Sequence, residues 1–137
     1  MIRLGLVVAR FEKSAALIDE MAEHARATAA DRDADIVAEV TVPGAYDTPL
    51  AADRLARRED IDAVAVIGAI VSGDTDHDQT IGIAAAEGLD RVSLDRDTPV
   101  TLGITGPGMS HDEAAARVTK GASAVASAID LAESLPT

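Results

Sequence analysis

The 137-residue sequence contains no cysteine, and it has one phenylalanine, one tyrosine and no tryptophan. Without cysteine, neither a disulfide framework nor a thiolate zinc site can form. The sequence also lacks an apolar run long enough to span a bilayer, and it lacks the leader typical of a signal peptide. We therefore expect one cytoplasmic domain over residues 1–137 that does not associate with membranes.

Positive charge is also scarce. Lysine and arginine total 12 against 24 acidic residues, a formal net charge of -12, and Lys13 and Lys120 are the two lysines. An acidic surface of this kind repels phosphate backbones, so nucleic acid is not an expected partner. The composition is typical of adaptation to high salt, where screening relieves self-repulsion; a generically acidic protein is the alternative. An isolated acidic cluster is therefore weak grounds for a site.

Hydrophobic patterns predict the secondary structure. Four short segments are rich in β-branched residues and end at glycine, proline or polar residues, which is typical of buried parallel strands. These segments are residues 2–9, 35–42, 62–71 and 99–104. Apolar residues at three- and four-residue spacing predict helices between them. Ser110 with Glu113 forms the capping-box pattern that opens the last helix.

The alternation of four strands with four helices predicts an α/β fold, a single three-layer α/β/α domain with a four-stranded parallel sheet. The helical pattern at 81–92 carries small or apolar residues on more than one side. This favours burial against another subunit, and the helix propensity of alanine is the alternative explanation.

Ligand-binding residues in such a fold follow the carboxyl ends of the strands. Phe11 and Tyr46 come just after the first and second strands. An aromatic ring there can stack on a planar heterocycle or close off the core. Asp47 can accept hydrogen bonds from ligand hydroxyls or cap the next helix. The residues alone leave both pairs of alternatives open.

The stretch GDTDHDQT, residues 73–80, follows the third strand. It begins like a calcium loop, but Gln79 and Ala85 replace the glycine and the distal glutamate of that motif. His24 and His111 lie far away in the chain, so zinc is not indicated either, and we expect no metal. His77 then has two interpretations: an acid–base group, because imidazole transfers protons near neutral pH, or an exposed loop histidine.

Four segments in register resemble the 6,7-dimethyl-8-ribityllumazine synthase family, its archaeal members in particular. They are ARF (9–11), VPGAYDTPLAA (42–52), AVIGAIVSGDTDH (65–77) and PVTLGITGPGM (99–109), followed by Arg117 seven residues into the predicted last helix. The resemblance implies a flavodoxin-like fold. It also implies a transferase that condenses 5-amino-6-(D-ribitylamino)uracil with L-3,4-dihydroxy-2-butanone 4-phosphate in the penultimate step of riboflavin biosynthesis, with no metal and no redox cofactor.

The resemblance assigns residues to the first substrate, the ribitylaminouracil. Phe11 would stack on its pyrimidine ring. Contacts to the ring and the ribityl chain would come from two segments, namely Ala45, Tyr46 and Asp47, and the backbone of Ala69, Ile70 and Val71. Leu102 stands where many members have an aromatic residue, which would weaken stacking on the second side of the ring. Glu12 stands where the family usually has asparagine.

The second substrate, the dihydroxybutanone phosphate, would place its phosphate against the turn at Asp74 and Thr75 and against Arg117. A guanidinium fork and backbone N–H groups suit a phosphate, whereas the Asp74 carboxylate would repel it. His77 would donate and accept the protons of the reaction. Lys120 lies near the position of a family lysine in the last helix.

The resemblance also implies a homo-oligomer. In that family the site lies between neighbouring subunits of a pentamer, and some members assemble twelve pentamers into a hollow shell. Two alternatives stay open on the sequence. One is the related archaeal riboflavin synthase, which would consume the lumazine. The other is a non-catalytic flavin-binding or shell-forming protein, which would tolerate His77→Ala.

Overall fold

Four segments form a parallel sheet in the computed structural model, which describes residues 1–71 and 76–136. The strands are β1 (Arg3–Ala9), β2 (Asp35–Val42), β3 (Ala63–Val71) and β4 (Val100–Met109). Their order across the sheet is β2-β1-β3-β4, and every neighbouring pair is parallel. The central strands β1 and β3 are almost entirely buried. This explains why both are continuous apolar runs rather than alternating ones.

Helices cover both faces of the sheet. They are α1 (Ala15–Asp31), α2 (Thr48–Ala56), α3 (His77–Arg96), α4 (His111–Ala115) and α5 (Lys120–Ser134). One core cluster joins α1 and α5 to one face of the sheet, and a second joins α2 and α3 to the other. The predicted three-layer α/β/α architecture is therefore confirmed. Because the chain turns from β1 to β2 on one side and to β3 on the other, the switch point lies at the carboxyl ends of β1 and β3.

The fourth strand is longer than the sequence predicts. We expected it to end at residue 104, but β4 runs to Met109, which pairs with Val71. Gly106 and Gly108 have φ angles of +88° and +84°, and the register shifts between Ala69 and Val71. Between these two paired positions β4 has more residues than β3, and they form a bulge. The Gly-Pro-Gly stretch at 106–108 therefore belongs to the strand, although its composition suggests a loop.

The last helix is divided in two. Ser110 and Glu113 do form a capping box: the Glu113 N–H donates to Ser110 Oγ (3.2 Å), and the Ser110 N–H donates to Glu113 Oε1 (3.3 Å). That box opens only the short helix α4. A turn at residues 116–119 separates α4 from α5, so Arg117 lies in this turn and not within a continuous helix as predicted.

The third helix starts earlier than its apolar pattern. The prediction placed His77 in a loop, whereas His77 is the first residue of α3. Ala85, Leu89 and Val92 pack on the sheet, and Ile83 on the same helix is 59 % exposed. Apolar surface thus remains uncovered on α3, as the sequence indicated.

Neither membrane helices nor metal clusters were found in the described residues. Across 1–71 and 76–136, no helix is long and apolar enough to cross a bilayer. In the same residues, no three histidine or acidic side chains are grouped so that they could hold a metal ion.

Ion pairs connect the helices at the surface, and Asp53 is the least exposed of their carboxylates, at 18 %. It accepts hydrogen bonds from Arg57, which directly follows α2, and from Arg96 at the end of α3. The hydrogen bond from Arg96, and then that from Arg57, holds the pKa of Asp53 below its ordinary value. This side chain therefore joins α2 to α3.

The variant Asp53→Asn should lower the free energy of unfolding by about 1 kcal/mol at neutral pH. Because the folded pKa is lowered, the stabilisation is present above the unfolded value of about 3.9. It is lost as the pH falls through the folded value. Urea denaturation of both proteins at moderate salt should show their difference shrinking below about pH 4. Asp90→Asn, an exposed change on α3, is the control, and an equal loss there would contradict a specific bridge.

Candidate functional site

The carboxyl ends of the strands meet at one edge of the sheet, where the Arg10 N–H donates to the Val42 carbonyl (2.9 Å). Phe11 follows directly and is 48 % exposed. The Arg10 guanidinium binds Asp19 through two hydrogen bonds of 2.8 and 3.0 Å, and this lowers the pKa of the Asp19 carboxyl. The contact ties the segment after β1 to α1 and leaves the Phe11 ring accessible.

The segment after β2 forms a tight turn, a 3-10 helix at Ala45–Asp47. Asp47 closes it twice, because its N–H donates to the Gly44 carbonyl (3.1 Å) and its Oδ2 accepts from the Gly44 N–H (3.1 Å). Asp47 also occupies the N-cap position of α2, but its side chain makes no capping hydrogen bond there. The carboxylate therefore braces the turn rather than the helix.

Tyr46 is at the apex of this turn and is 67 % exposed. Phe11 and Tyr46 therefore do not close off the core, which removes one of the two interpretations of these aromatics. Ala45 is buried below the turn, where its carbonyl accepts a 2.7 Å hydrogen bond from the fully buried Thr48 hydroxyl. Sequence reasoning missed Thr48; a hydroxyl at the first residue of α2, where apolar packing is expected, was the available signal.

The end of β3 presents backbone rather than side chains. Ala69 and Val71 point to the core cluster with α1 and α5, and Ile70 points to the cluster with α2 and α3. Only peptide groups of this segment can therefore reach a ligand above the sheet edge. The register shift in the β3–β4 ladder falls at this place, so regular strand pairing is interrupted beside the expected site.

His77 opens α3 just beyond that edge and is exposed. The residues predicted to form the phosphate turn, Asp74 and Thr75, lie outside the described residues. Because His77 belongs to the first turn of α3, the helix fixes the position of its backbone. The surrounding acids that mark this stretch in the sequence, Asp76 and Asp78, flank it along the chain.

Arg117 lies in the turn between α4 and α5, with its side chain exposed. Its Nη1 donates to the Glu113 carbonyl (3.3 Å) and to Met109 Sδ (3.6 Å). Among the described residues it has no carboxylate partner. Seven other arginines of this acidic chain are ion-paired, namely Arg3, Arg10, Arg26, Arg32, Arg57, Arg58 and Arg96. A guanidinium held by neutral acceptors keeps its charge available for an anion.

Leu102 lies apart from the other predicted residues. It lies near the start of β4, an edge strand, where it is paired with Val66, and it is 45 % exposed. With Ile83 of α3 it lines a cavity of about 200 Å³ between the helix and the open edge. Within one chain, the structure does not bring Leu102 to the carboxyl ends of the strands.

Comparisons with known proteins agree over nearly the whole chain. Residues 1–135 match the family model for 6,7-dimethyl-8-ribityllumazine synthase. The protein of that name from Halorubrum lacusprofundi is 66 % identical over 135 residues, which cover 98 % of this chain and 99 % of that one. The Halobacterium salinarum protein is 63 % identical, with 98 % and 100 % covered. The Methanopyrus kandleri protein is 43 % identical, with 98 % and 94 % covered.

Proposed function

The chain belongs to the 6,7-dimethyl-8-ribityllumazine synthase family, and on this premise we propose how its own residues carry out the reaction. The protein is a transferase of riboflavin biosynthesis that condenses the ribitylaminouracil with the dihydroxybutanone phosphate to give the lumazine. The acidic, lysine-poor composition fits its halophilic relatives.

One observation carries the assignment of the site. The exposed aromatics Phe11 and Tyr46, the histidine His77 at the start of α3, and Arg117 all follow the carboxyl ends of parallel strands. Ligands of open α/β sheets bind in the crevice outside these ends. Aromatic, imidazole and guanidinium groups at one end of the sheet support a two-substrate site there.

The pyrimidine would stack on Phe11, whose ring is accessible. The braced turn Ala45–Asp47 would hold the ribityl chain through its peptide groups and through Asp47 Oδ1, because Oδ2 is already bonded to Gly44. Peptide groups of Ala69, Ile70 and Val71 would complete the pyrimidine contacts. Such a turn costs little entropy on binding, because its hydrogen bonds already order it.

The chemistry consists of proton transfers around a condensation. The 5-amino group attacks the ketone and water leaves as the imine forms. Phosphate is then eliminated, and the ribityl-bearing nitrogen closes the ring with loss of a second water. Each step moves a proton, and His77 would accept it from the attacking amine and return it to the leaving oxygen. Holding both substrates together supplies the rest of the rate enhancement.

The position of Leu102 supports an oligomeric site. It pairs with Val66, five residues before the end of β3, so it lies roughly 16 Å below that end at about 3.3 Å per residue. A pyrimidine on Phe11 can meet Leu102 only if a neighbouring chain supplies it. We propose a pentamer whose interface covers Leu102 and Ile83, since head-to-tail contacts close into rings. A sedimentation mass equal to one chain would contradict this.

The reaction itself is the test of this function. The protein in molar KCl, mixed with both substrates, should form the lumazine chromophore faster than the spontaneous reaction does. No lumazine above that background would remove the assignment. A parallel mixture with the lumazine as sole substrate tests the related riboflavin synthase, which would consume it instead.

A further inference from the structure

Near its start, α3 packs against β4 through Gly82, which has no side chain to place between the two elements. A Cβ atom built on Gly82 would lie 2.7 Å from Pro107 Cδ and 2.9 Å from Pro107 Cγ. Real carbon atoms do not approach this closely. The backbone of α3 therefore rests directly on the proline ring, and glycine is needed at position 82.

The segment that carries Pro107 is held on its other side by β3. Gly106 before it has a φ angle of +88°, and a Cβ atom there would overlap the carbonyl oxygen of Ile70. The segment is thus seated on the backbone of β3 on one side and on α3 on the other. The proline ring is also covalently rigid, so no rotamer change can relieve added bulk.

His77 is five residues before Gly82 on the same helix, about 7.5 Å along its axis at 1.5 Å per residue. Gln79 of the same first turn is also close to this segment, because its Nε2 lies 3.7 Å from a Cβ atom built on Gly108. The contact of α3 with residues 106–108 therefore sets the distance between the first turn of α3 and the sheet.

We propose that Gly82 and Pro107 are positioning residues for His77: their contact fixes the first turn of α3 relative to the ends of β3 and β4. The inference rests on the proposed role of His77. It goes beyond that role, because it assigns two residues that touch no substrate. Misplacing a reacting group by about 1 Å can lower the rate a hundredfold, so a change in this contact should lower kcat.

The test is Gly82→Ala, with saturation kinetics for both substrates. The added methyl group pushes the first turn away from Pro107, so kcat should fall by roughly ten- to a hundredfold. KM for the ribitylaminouracil should stay within about twofold, since Phe11 and the turn at 45–47 lie on other segments. The chain has three histidines, so the imidazole NMR signal of His77 can be followed and should shift in this variant.

Leu89→Ala is the matched control on the same helix. Leu89 is 2 % exposed, and its truncation leaves a cavity that destabilises α3 without adding atoms near Pro107. It should lower the melting temperature and leave kcat and the His77 signal unchanged. An equal loss of kcat in Leu89→Ala would mean that turnover depends on the stability of α3 and not on the position of His77, and it would overturn the inference.

Gln79→Ala keeps the inference testable should Gly82→Ala fail to fold. Gln79 is exposed, so its truncation should leave the melting temperature unchanged while lowering kcat roughly two- to fivefold. Wild-type kcat and an unmoved His77 signal in the folded variants, alongside an inactive His77→Ala, would overturn the positioning role alone. An active His77→Ala would overturn the proposed function instead.

Discussion

His77→Ala is expected to lower kcat for lumazine formation by about two to four orders of magnitude, the usual contribution of a positioned general acid–base group. The reaction needs several proton transfers, and in the proposed site one imidazole serves all of them. KM for each substrate should change little, because Phe11, the turn at 45–47 and Arg117 remain. Initial rates from the lumazine chromophore, corrected for the spontaneous reaction, give the result directly.

Two controls separate proton transfer from damage to the fold. His24→Ala removes a half-buried histidine in the middle of α1 and should keep wild-type turnover. Added imidazole should restore part of the activity of His77→Ala, because a small base can enter the space that the side chain vacates. Full turnover in His77→Ala would refute the assigned role. In that case His77→Asn, which also removes the imidazole, should keep full turnover too.

The layers of the fold were predictable because their cause is local. A strand buried on both faces needs apolar residues at every position, and a helix on the sheet needs them at every third or fourth. The runs at 3–9 and 63–71 and the spacing in α1 meet these demands without information from elsewhere in the chain. The carboxyl ends of β1, β2 and β3 follow from the same patterns.

The misplaced end of β4 has a nonlocal cause. Gly106 to Gly108 have the turn residues of a loop, and only the pairing of Met109 with Val71 draws them into β4. The break before α5 has a local hydrogen bond instead, from the Lys120 N–H to the Arg117 carbonyl (2.9 Å), but the apolar periodicity continues across the turn and hides it. A local pattern cannot reveal a partner from another part of the chain.

Part of the candidate site could likewise be predicted from the sequence, and part of it could not. Its chemistry-bearing residues can be found from the sequence, since aromatic, imidazole and guanidinium groups at strand ends are scarce in this chain. The residues that hold them cannot. Gly82 matters only because Pro107, from another part of the chain, lies against it. Such contacts exist only once distant segments have packed.

Arg117→Ala should chiefly weaken the use of the phosphorylated substrate. Hydrogen bonds between charged groups contribute about 1.5–3 kcal/mol, which corresponds to roughly a ten- to hundredfold rise in KM for the dihydroxybutanone phosphate. KM for the ribitylaminouracil should stay near the wild-type value. Saturation curves for each substrate, measured with the other in excess, separate the two effects. Arg117→Lys should restore part of the affinity, because lysine keeps the charge but loses the planar fork.

Arg91→Ala is the matched control, because it also removes one positive charge from the exposed surface but lies on α3, 14 residues after His77. In molar salt, screening confines electrostatic effects to about 3 Å, so a distant charge should leave KM for the phosphorylated substrate unchanged. A direct contact persists under the same conditions. Unchanged saturation by that substrate in Arg117→Ala would remove Arg117 from phosphate binding. The Met109 sulfur and the Glu113 carbonyl would then orient a guanidinium that binds no anion.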